Sequence, residues 1–393
     1  MSTDGGSAIE VAATGAAAVR LSLRGTTESS DPSDAPFLVE AAEARRAIRT
    51  WTRYEPTPVV ALPELARRLG VRAVSCKDES GRFGLGSFKA LGGAYAVLRV
   101  LQDTIERHTG ERPTGEELRR GHPLAADVTT TTASAGNHGR SVAWGSEQLG
   151  CGCVVVLPAD AVPARAAAIE SHGARVERFD GGYDGAVAHV QERATEEGWV
   201  VVSDTAYPGY EKTPQRIMEG YTLIADELVE TLEREAAPPL THLFIQGGVG
   251  GLASGVCGRL SQLLGAATPR FVIVEPWKAD CFGRGLRAGR LVVAEPPFET
   301  EMGGLAAGVP STVAWTYLRR ALDAGVALKE SAWRRGTAAL ASGELGGTIT
   351  AGPSGAAGVG ALLELTRLPS VGRLLDLTPS SHIGCIATET RFE

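Results

Sequence analysis

Lys89 is placed where an amine can do covalent chemistry. It directly follows the turn Gly86-Ser-Phe and precedes the helical run from Ala90 to Leu101. A lysine in such a place can form an imine with an aldehyde. Two further segments, Ser134-Ala-Gly-Asn-His-Gly139 and Gly247-Gly-Val-Gly-Gly251, each follow a strand-like run and open a helix. Together they predict places that hold a ring and a phosphate beside the amine.

Composition and charge favour small-molecule chemistry. The chain has 393 residues and a formal net charge of -7. Acidic and basic residues are interspersed, so the sequence offers no basic surface for nucleic acid and no polybasic patch for a membrane. No apolar run approaches the roughly 20 residues of a membrane span, and the N-terminus lacks the pattern of a signal peptide. We expect a cytoplasmic protein without nucleic-acid or membrane partners.

The cysteines carry no metal or disulfide signature. Most of them lie inside apolar runs, without the paired CxxC spacing of zinc sites or disulfide frameworks. We interpret them as reduced core thiols and expect no metal. The six are Cys76, Cys151, Cys153, Cys257, Cys281 and Cys385.

The order of elements predicts an α/β fold with two lobes, which the length also favours. Residues 1–34 are rich in Ala, Gly, Ser and Thr and are predicted to form a mobile arm. A charged insert between Asp103 and Asp127 is predicted to be a solvated excursion with a helix start at Thr114. Elsewhere short β-branched runs alternate with helical segments, which indicates parallel sheets covered on both faces. Ligands bind at the carboxyl ends of such strands, so the three loops converge only if two sheets face one cleft.

The glycine loop has three interpretations. Consecutive backbone amides from Gly247 to Gly251 at a helix start can cradle a phosphate, and the helix dipole favours the anion. The rival is dinucleotide binding, because Gly248-Val-Gly-Gly-Leu-Ala253 fits G-x-G-x-x-A and Glu275 ends the next strand, where a ribose-binding acid sits. Tight helix-strand packing explains a glycine or two but not so dense a cluster. The phosphate cradle is the favoured interpretation.

Several strings of residues resemble one enzyme family. They are Tyr54-Glu-Pro-Thr-Pro58, Arg82-Phe-Gly-Leu, Phe88-Lys-Ala-Leu-Gly-Gly-Ala-Tyr95, Gly136-Asn-His-Gly-Arg140, Val142-Ala-Trp144, Asp204-Thr-Ala, Val274-Glu-Pro and Lys278-Ala-Asp-Cys281. Over nearly its whole length the chain resembles the fold-type II pyridoxal-phosphate enzymes, and within them the diaminopropionate ammonia-lyases. The resemblance implies two open, mainly parallel sheets flanked by helices, with pyridoxal 5'-phosphate in the cleft between lobes. It also implies a large cofactor-binding domain (35–90 plus 206–393), a small domain (91–205) and a homodimer.

The resemblance assigns roles to residues of this chain. Lys89 becomes the Schiff-base lysine, and the Asn137 side chain hydrogen-bonds the phenolic oxygen of the cofactor. The resemblance also implies that the glycine loop binds the phosphate of the cofactor and that the loop ending at Asn137 binds the substrate carboxylate. The phosphate-binding residues are Gly247, Gly248, Val249, Gly250 and Gly251, and the substrate loop comprises Ser134, Ala135, Gly136 and Asn137.

The implied chemistry is an α,β-elimination. The imine draws electrons toward the ring, so that a base, for which freed Lys89 is the natural choice, can remove the α-proton and a β-leaving group can depart. With 2,3-diaminopropionate the products are pyruvate and two ammonia molecules. Asp204 is the best available carboxylate to hold the β-ammonium or to act as acid-base partner. A turn or helix cap is its alternative role.

Ala135 departs from the family, which has an aspartate at this place before Gly-Asn-His-Gly. In the family that carboxylate is associated with proton abstraction from the D-substrate, so its loss puts dual stereospecificity and the β-amino substrate in question. Ser134-Ala135 instead resembles the loop of serine and threonine dehydratases. Dehydration, loss of another β-substituent and β-replacement therefore remain alternatives. A non-catalytic binder of cofactor or amino acid and a dinucleotide-dependent oxidoreductase are the lesser ones.

The tail Ile386-Ala-Thr-Glu-Thr390 falls where the family meets the pyridine nitrogen of the cofactor with a neutral hydroxyl. Such a partner leaves the ring only weakly electron-withdrawing and suits elimination better than transamination. The family has Ser-Thr at Ala387-Thr388. Thr388 is therefore the predicted partner, with Thr390 as the second candidate.

Overall fold

The computed structural model describes residues 19–24, 35–134, 136–159, 161–180 and 182–391. Two sheets with helices around them make up this part of the chain. The strands are β1 (Val19–Leu23), β2 (Val59–Ala61), β3 (Ala73–Asp78), β4 (Thr129–Ala133), β5 (Gly152–Pro158), β6 (Arg175–Phe179), β7 (Val200–Val201), β8 (His242–Gln246), β9 (Arg270–Pro276), β10 (Leu322–Leu328) and β11 (His382–Ala387). The helices are α1 (Ala41–Arg49), α2 (Pro63–Leu69), α3 (Lys89–Thr109), α4 (Gly115–Arg119), α5 (Asn137–Leu149), α6 (Pro163–Glu170), α7 (Gly182–Glu197), α8 (Lys212–Arg234), α9 (Gly251–Leu264), α10 (Cys281–Ala288), α11 (Thr312–Ala321), α12 (Glu330–Ser342), α13 (Ala357–Leu365) and α14 (Pro369–Leu374).

The larger sheet has seven strands in the order β1-β10-β9-β8-β11-β3-β2. Its inner strands pair in parallel, whereas β1 and β2 pair antiparallel at the two edges. Every residue of β8 and of β11 is buried, because helices cover both faces of the sheet. The predicted α/β class with mainly parallel sheets is confirmed.

The smaller sheet has four parallel strands in the order β6-β5-β4-β7. All four come from residues 129–201, inside the range predicted for the small domain. The exact division of the chain at residues 91 and 205 stays a prediction. Among the described helices, none is both long enough and apolar enough to cross a lipid bilayer.

The predicted mobile arm contains a strand. β1 pairs in register with β10, and its Val19 and Leu21 side chains are buried against the sheet. Arg20, between them, donates to Asp280 Oδ2 at 2.7 Å. Alternating apolar residues bury one face of an edge strand even when the segment is short. The prediction of a mobile arm is therefore wrong for residues 19–23; its residues 1–18 and 25–34 lie outside the described part of the chain.

The charged insert begins a helix where the sequence predicts one. Thr114 Oγ1 accepts the amide hydrogen of Glu117 at 3.2 Å, and the Glu117 carboxylate accepts that of Thr114 at 2.7 Å. This reciprocal capping satisfies two amides that α4 leaves without partners in the helix. Most charged side chains of the insert are exposed, but Leu118 and Ala125 are buried in the hydrophobic core, so the insert is not wholly a solvated excursion.

Helix α3 is held unusually close to its two neighbours, α5 and α8. A Cβ added at Gly93 would lie 2.1 Å from Ser141 Oγ, and one added at Gly145 would lie 2.6 Å from Ala94 Cα. On the α8 side, a Cβ at Gly220 would lie 2.2 Å from the Leu91 carbonyl oxygen. Only glycine permits contacts of this kind. The first turn of α3 is thereby fixed against both helices.

Four charged side chains form a buried cluster at the edge of the larger sheet: Lys77, Glu79, Arg82 and Glu227, each at most 1% exposed. Lys77 Nζ lies 2.6 Å from Glu227 Oε2, and Arg82 Nη2 lies 2.7 Å from the same oxygen. Arg82 also binds Glu79 at 2.8 Å. The two cations and two anions balance. The cluster ties β3 and the turn that leads to Lys89 onto α8.

We expect Glu227→Gln to destabilise the protein by about 3 to 5 kcal/mol, because it leaves one buried cation uncompensated. Urea unfolding at neutral pH measures the loss. Glu344→Gln is the control, since the ion pair of Glu344 with Arg68 is exposed and such pairs contribute about 1 kcal/mol or less. Equal small losses in both variants contradict the prediction.

Candidate active site

Lys89 is the first residue of α3, and the end of β11 holds the turn before it. The Phe88 amide donates to the Thr388 carbonyl at 3.2 Å, and the Thr390 amide donates to the Gly86 carbonyl at 2.9 Å. Ser87 and Glu389 form an isolated antiparallel bridge between these hydrogen bonds. The lysine turn therefore pairs briefly with the segment that follows β11, at the carboxyl end of the larger sheet. The predicted position of Lys89, after a turn and ahead of a helix, is observed.

Asp204 is the partner of Lys89. Lys89 Nζ lies 2.6 Å from Asp204 Oδ2, and both side chains are mostly buried. Burial alone raises the pKa of a carboxyl, but the Lys89 ammonium outweighs it and holds the pKa of Asp204 well below its usual range. Asp204 is therefore an ionised carboxylate at neutral pH. The contact joins a loop that follows β7 in the smaller sheet to the lysine turn of the larger one.

Tyr210 fixes the loop that carries Asp204. The Ser203 amide donates to Tyr210 Oη at 2.9 Å, and Tyr210 Oη donates to the Val201 carbonyl at 2.9 Å. His138 lies on the other side of the carboxylate, with its Nδ1 3.9 Å from Asp204 Oδ2. Burial lowers the pKa of His138, so its ring is neutral and its Nε2 donates to the Val202 carbonyl at 2.9 Å. The loop of Asp204 is thus fixed by Tyr210, while the neutral Nδ1 of His138 lies near the carboxylate without a hydrogen bond to it.

Asn137 begins α5 and points across the cleft. Its Nδ2 donates to Glu389 Oε2 at 2.6 Å, which connects the smaller sheet to the segment after β11. Its Oδ1 is buried without a hydrogen-bond partner in the described part of the chain. A buried polar atom left in this state is costly, so Oδ1 marks a place where a polar ligand group belongs.

The substrate loop packs tightly over the start of α5. The Gly136 amide donates to Ser134 Oγ at 3.3 Å. A Cβ added at Gly139 would lie 2.5 Å from the Ser134 carbonyl oxygen, so the loop lies directly on the first turn of the helix. Ala135 lies outside the described residues. The predicted roles of Ser134, Ala135 and Gly136 toward a substrate carboxylate stay predictions.

The glycine loop runs from the end of β8 to the first turn of α9. Gly248 and Gly250 have φ values of 63° and 93°, in the left-handed region. A Cβ added at Gly250 would lie 2.5 Å from Phe282 Cζ, and one added at Gly247 would lie 2.8 Å from Glu275 Cγ. The loop is therefore closely packed from behind and presents backbone at a helix N-terminus, where phosphates bind.

Glu275 argues against the dinucleotide alternative. Its carboxylate is buried and accepts the amide hydrogens of Phe282 at 2.9 Å and of Gly283 at 2.8 Å, at the start of α10. Burial raises the pKa of Glu275 to about 8. A ribose-binding acid has to face the ligand, and this one faces the protein. Glu275 instead supports the glycine loop from below.

The residues present fit pyridoxal 5'-phosphate. The site offers an amine at Lys89, an amide at Asn137 with an unsatisfied oxygen, and a backbone cradle at a helix start. The structure brings Lys89, Asp204 and Asn137 to one cleft between the two sheets. It links the glycine loop to that cleft through Gly304, whose carbonyl lies 3.0 Å from a Cβ added at Gly248. Thr388 is buried, and its carbonyl accepts the Phe88 amide hydrogen. The predicted role of its hydroxyl toward the ring nitrogen stays a prediction.

Two residues of the site escaped prediction. The sequence analysis does not single out Glu389, which lies between the candidate hydroxyls of Thr388 and Thr390. A carboxylate soon after a buried strand is a signal that could have identified it. Tyr221, in the middle of α8, packs its ring on Phe88 with the centroids 4.8 Å apart. Burial raises the pKa of its phenol, with the nearby Lys89 ammonium opposing. No local pattern distinguishes Tyr221 from other aromatic residues of the core.

The comparisons with known proteins agree with this geometry. The sequence model of the family described as "Pyridoxal-phosphate dependent enzyme" matches residues 50–374. The chain therefore belongs to the pyridoxal-phosphate-dependent enzymes, and pyridoxal 5'-phosphate is its cofactor.

The relatives narrow the class. A diaminopropionate ammonia-lyase of Escherichia coli K12 is 37% identical over 359 residues, which are 89% of this chain and 88% of the relative. The crystal structure of the holo form of diaminopropionate ammonia-lyase from Escherichia coli superposes with a TM-score of 0.86 at 33% identity and covers 96% of this chain and 95% of that chain. The complex of the Escherichia coli enzyme with an aminoacrylate-PLP azomethine reaction intermediate has a TM-score of 0.84 at 34% identity, with 95% and 94% covered. Within its class the chain belongs to the diaminopropionate ammonia-lyase family.

We expect Gly250→Ala to weaken cofactor binding and to destabilise the protein, because a left-handed non-glycine residue costs about 1 to 3 kcal/mol and the new Cβ overlaps Phe282. Urea unfolding and absorbance titration with pyridoxal 5'-phosphate measure the two effects. Gly81→Ala is the control, since Gly81 is exposed, has a φ of -98° and has nothing within 4 Å of an added Cβ. If both variants behave alike, the assigned role of the glycine loop is wrong.

Proposed function

We propose that the protein catalyses α,β-elimination on 2,3-diaminopropionate and, with one water molecule, releases pyruvate and two molecules of ammonia. The contact of Lys89 with Asp204 at 2.6 Å carries the proposal. It places an amine and an ionised carboxylate side by side between the two sheets. The names of the relatives support the substrate.

Lys89 is the group that moves the α-proton. When bound, pyridoxal 5'-phosphate supplies an electron sink for the carbanion that proton removal creates. Lys89 would hold the cofactor and, as a free amine in the substrate complex, would take the α-proton. It lies in the first turn of α3, which the glycine contacts with α5 and α8 fix. Because the start of the helix is rigid, the Lys89 amine stays within hydrogen-bond distance of the proton that it removes.

Asp204 acts on the β-amino group. The Asp204 carboxylate attracts a β-ammonium, which takes the place of the Lys89 ammonium as its counter-charge, and holds that group protonated until the carbon-nitrogen bond breaks. A protonated amine leaves as neutral ammonia, whereas an unprotonated one would have to leave as an amide anion. Asp204 therefore provides the charge that a diamino substrate requires.

The start of α5 takes the substrate carboxylate. Ser134 and Gly136 lie before the first turn of this helix, where the positive end of the helix dipole favours an anion. Ala135 contributes no carboxylate at the place where the family has an aspartate. We therefore propose that proton abstraction depends on Lys89 and that the L-isomer is the substrate.

Two alternatives rest on the same loop. Ser134-Ala135 is also typical of dehydratase-like elimination or β-replacement on another amino acid, and the loss of the family aspartate is the one feature that favours a non-catalytic binder. A homodimer is proposed from the family alone. A cytoplasmic location is proposed because all six cysteines are unpaired thiols.

The first test is release of pyruvate and ammonia from L- and D-2,3-diaminopropionate, with L-serine and L-threonine in parallel. We expect turnover of the L-diamino acid. Lys89→Ala should abolish turnover and the visible absorption of the lysine imine, whereas Lys278→Ala, at an exposed lysine paired with Glu299, should change neither. If serine alone is turned over, serine and not diaminopropionate is the substrate. If nothing is turned over and the absorption is intact, the substrate is another β-substituted amino acid or the protein is a non-catalytic binder of cofactor or amino acid.

The second test separates Asp204 from a structural role. We expect Asp204→Asn to keep the cofactor and its absorption and to lose about 10² to 10⁴ in kcat for the diamino acid. If the variant turns over the diamino acid at the original rate, Asp204 is only a turn residue. If chloride as β-leaving group (β-chloroalanine) restores turnover in Asp204→Asn, the lost function is assistance to the departing amine.

A further inference from the structure

Four aromatic side chains that the proposed reaction does not use form a cluster beside the lysine turn. The ring of Trp51 lies 5.9 Å from that of Phe83 and 5.5 Å from that of Trp144, measured between centroids. Phe83 lies 4.9 Å from Trp144 and 6.4 Å from Tyr54. The cluster joins the segment after α1, the turn between β3 and Lys89, and α5. Aromatic pairs at these distances stabilise the contacts between such elements.

A small cavity lies between this cluster and the charged insert. Its volume is about 10 Å³, which is enough for one ligand of about the size of a water molecule. The cavity is lined by Trp51, Trp144, Arg119 and Gln148, and the remaining lining residues are apolar or glycine. No carboxylate is among the lining residues that the structure describes. The cavity therefore has room for one small guest and no negative charge of its own.

Two hydrogen-bond donors of the lining residues lack acceptors. Trp51 is only 7% exposed, and its indole Nε1 has no partner among the described residues. Arg119 Nη1 is buried in the same state, although Nη2 of the same guanidinium donates to Thr50 Oγ1 at 3.0 Å. Both side chains can only donate. Because buried donors without acceptors are costly, a guest that accepts two hydrogen bonds would stabilise the cavity.

The positive charge of Arg119 also lacks a counter-charge. The adjacent Arg120 pairs with Glu116, whereas Arg119 makes no ion pair within the part of the chain that the structure describes. Burial lowers the pKa of Arg119, and the charge of Glu116 opposes this effect. An arginine nevertheless stays protonated in a protein, and a half-buried charge is costly when it is unpaired. The guest that the cavity favours is therefore negatively charged.

We propose that this cavity binds a small monovalent anion of the size of a halide, held by Trp51 Nε1 and Arg119 Nη1. Chloride has the required charge. A water molecule could accept from both donors, but it would leave the charge of Arg119 unbalanced and would bring two hydrogens of its own, for which the Gln148 amide is the one side-chain acceptor among the described lining residues. The anion site involves neither the cofactor nor the proposed substrate, so it is tested separately from both.

The first measurement is thermal unfolding of the holoenzyme in sodium chloride or sodium bromide. Sodium gluconate, whose anion is too large for the cavity, keeps the ionic strength constant. A ligand of the folded state alone raises the unfolding temperature, by about 2 °C at ten times its dissociation constant. We expect this halide dependence in the unmodified protein and its loss in Arg119→Gln. Arg120→Gln is the matched control, because Arg120 is exposed and paired with Glu116, and it should keep the dependence.

The second measurement locates the ion. Crystals of the holoenzyme grown with sodium bromide are measured at the bromine absorption edge, where bromide gives an anomalous signal and water gives none. We expect an anomalous peak in the cavity, within hydrogen-bond distance of Trp51 Nε1 and Arg119 Nη1.

Three results overturn the proposal. The first is a cavity that holds water or the Gln148 amide without an anomalous peak. The second is a bromide peak without halide dependence in solution, which means binding at crystal concentration only. The third is a halide dependence of equal size in Arg119→Gln and Arg120→Gln. If Arg119→Gln does not fold, the two measurements on the unmodified protein decide.

Discussion

The buried charge cluster is the interaction on which the site depends. Lys77 and Arg82 neutralise Glu79 and Glu227 where water cannot reach them, and the four side chains fasten β3, α8 and the turn ahead of Lys89 to one another. Ion pairs in such places give little net stability but tolerate few alternative arrangements. The position of Lys89, the proposed catalytic amine, thus depends on the charge balance of the cluster that precedes its turn in the chain.

From that anchor the cleft is assembled by close contacts between helices. Glycines in α3, α5 and α8 let the helices approach until backbone meets backbone, and Ser141 Oγ donates to the Lys89 carbonyl at 2.7 Å. The same contact surface fixes Asn137 at the start of α5. Groups from two separate sheets, Asp204 from one and Glu389 from beside the other, therefore lie near Lys89 and Asn137.

The sequence predicts local structure where residue types restrict the backbone, while the roles of these residues toward cofactor and substrate stay predictions. The lysine turn, the Asn137 loop and the glycine loop each have residue types that only a few backbone conformations and ligands explain, and the strand-helix alternation gives the sheet class. Sequence reasoning failed where distant residues decide. Lys77 reads as an ordinary solvated cation until Glu227, 150 residues away, is placed beside it. β1 is only five residues long and lies in a low-complexity segment. Glu389 is linked to the site only through its hydrogen bond with Asn137, which the fold provides.

The pairing of Asp204 with Lys89 also bears on which amino acids the cleft accepts. Once the lysine amine is consumed in bonding, the carboxylate loses its counter-charge in a mostly buried place, and that loss is unfavourable. A substrate with a second ammonium supplies a cation in place of the Lys89 ammonium, so the charge of Asp204 remains balanced. An amino acid with a hydroxyl at the same carbon brings no such replacement. Selectivity between the two then arises from electroneutrality and needs no dedicated recognition pocket.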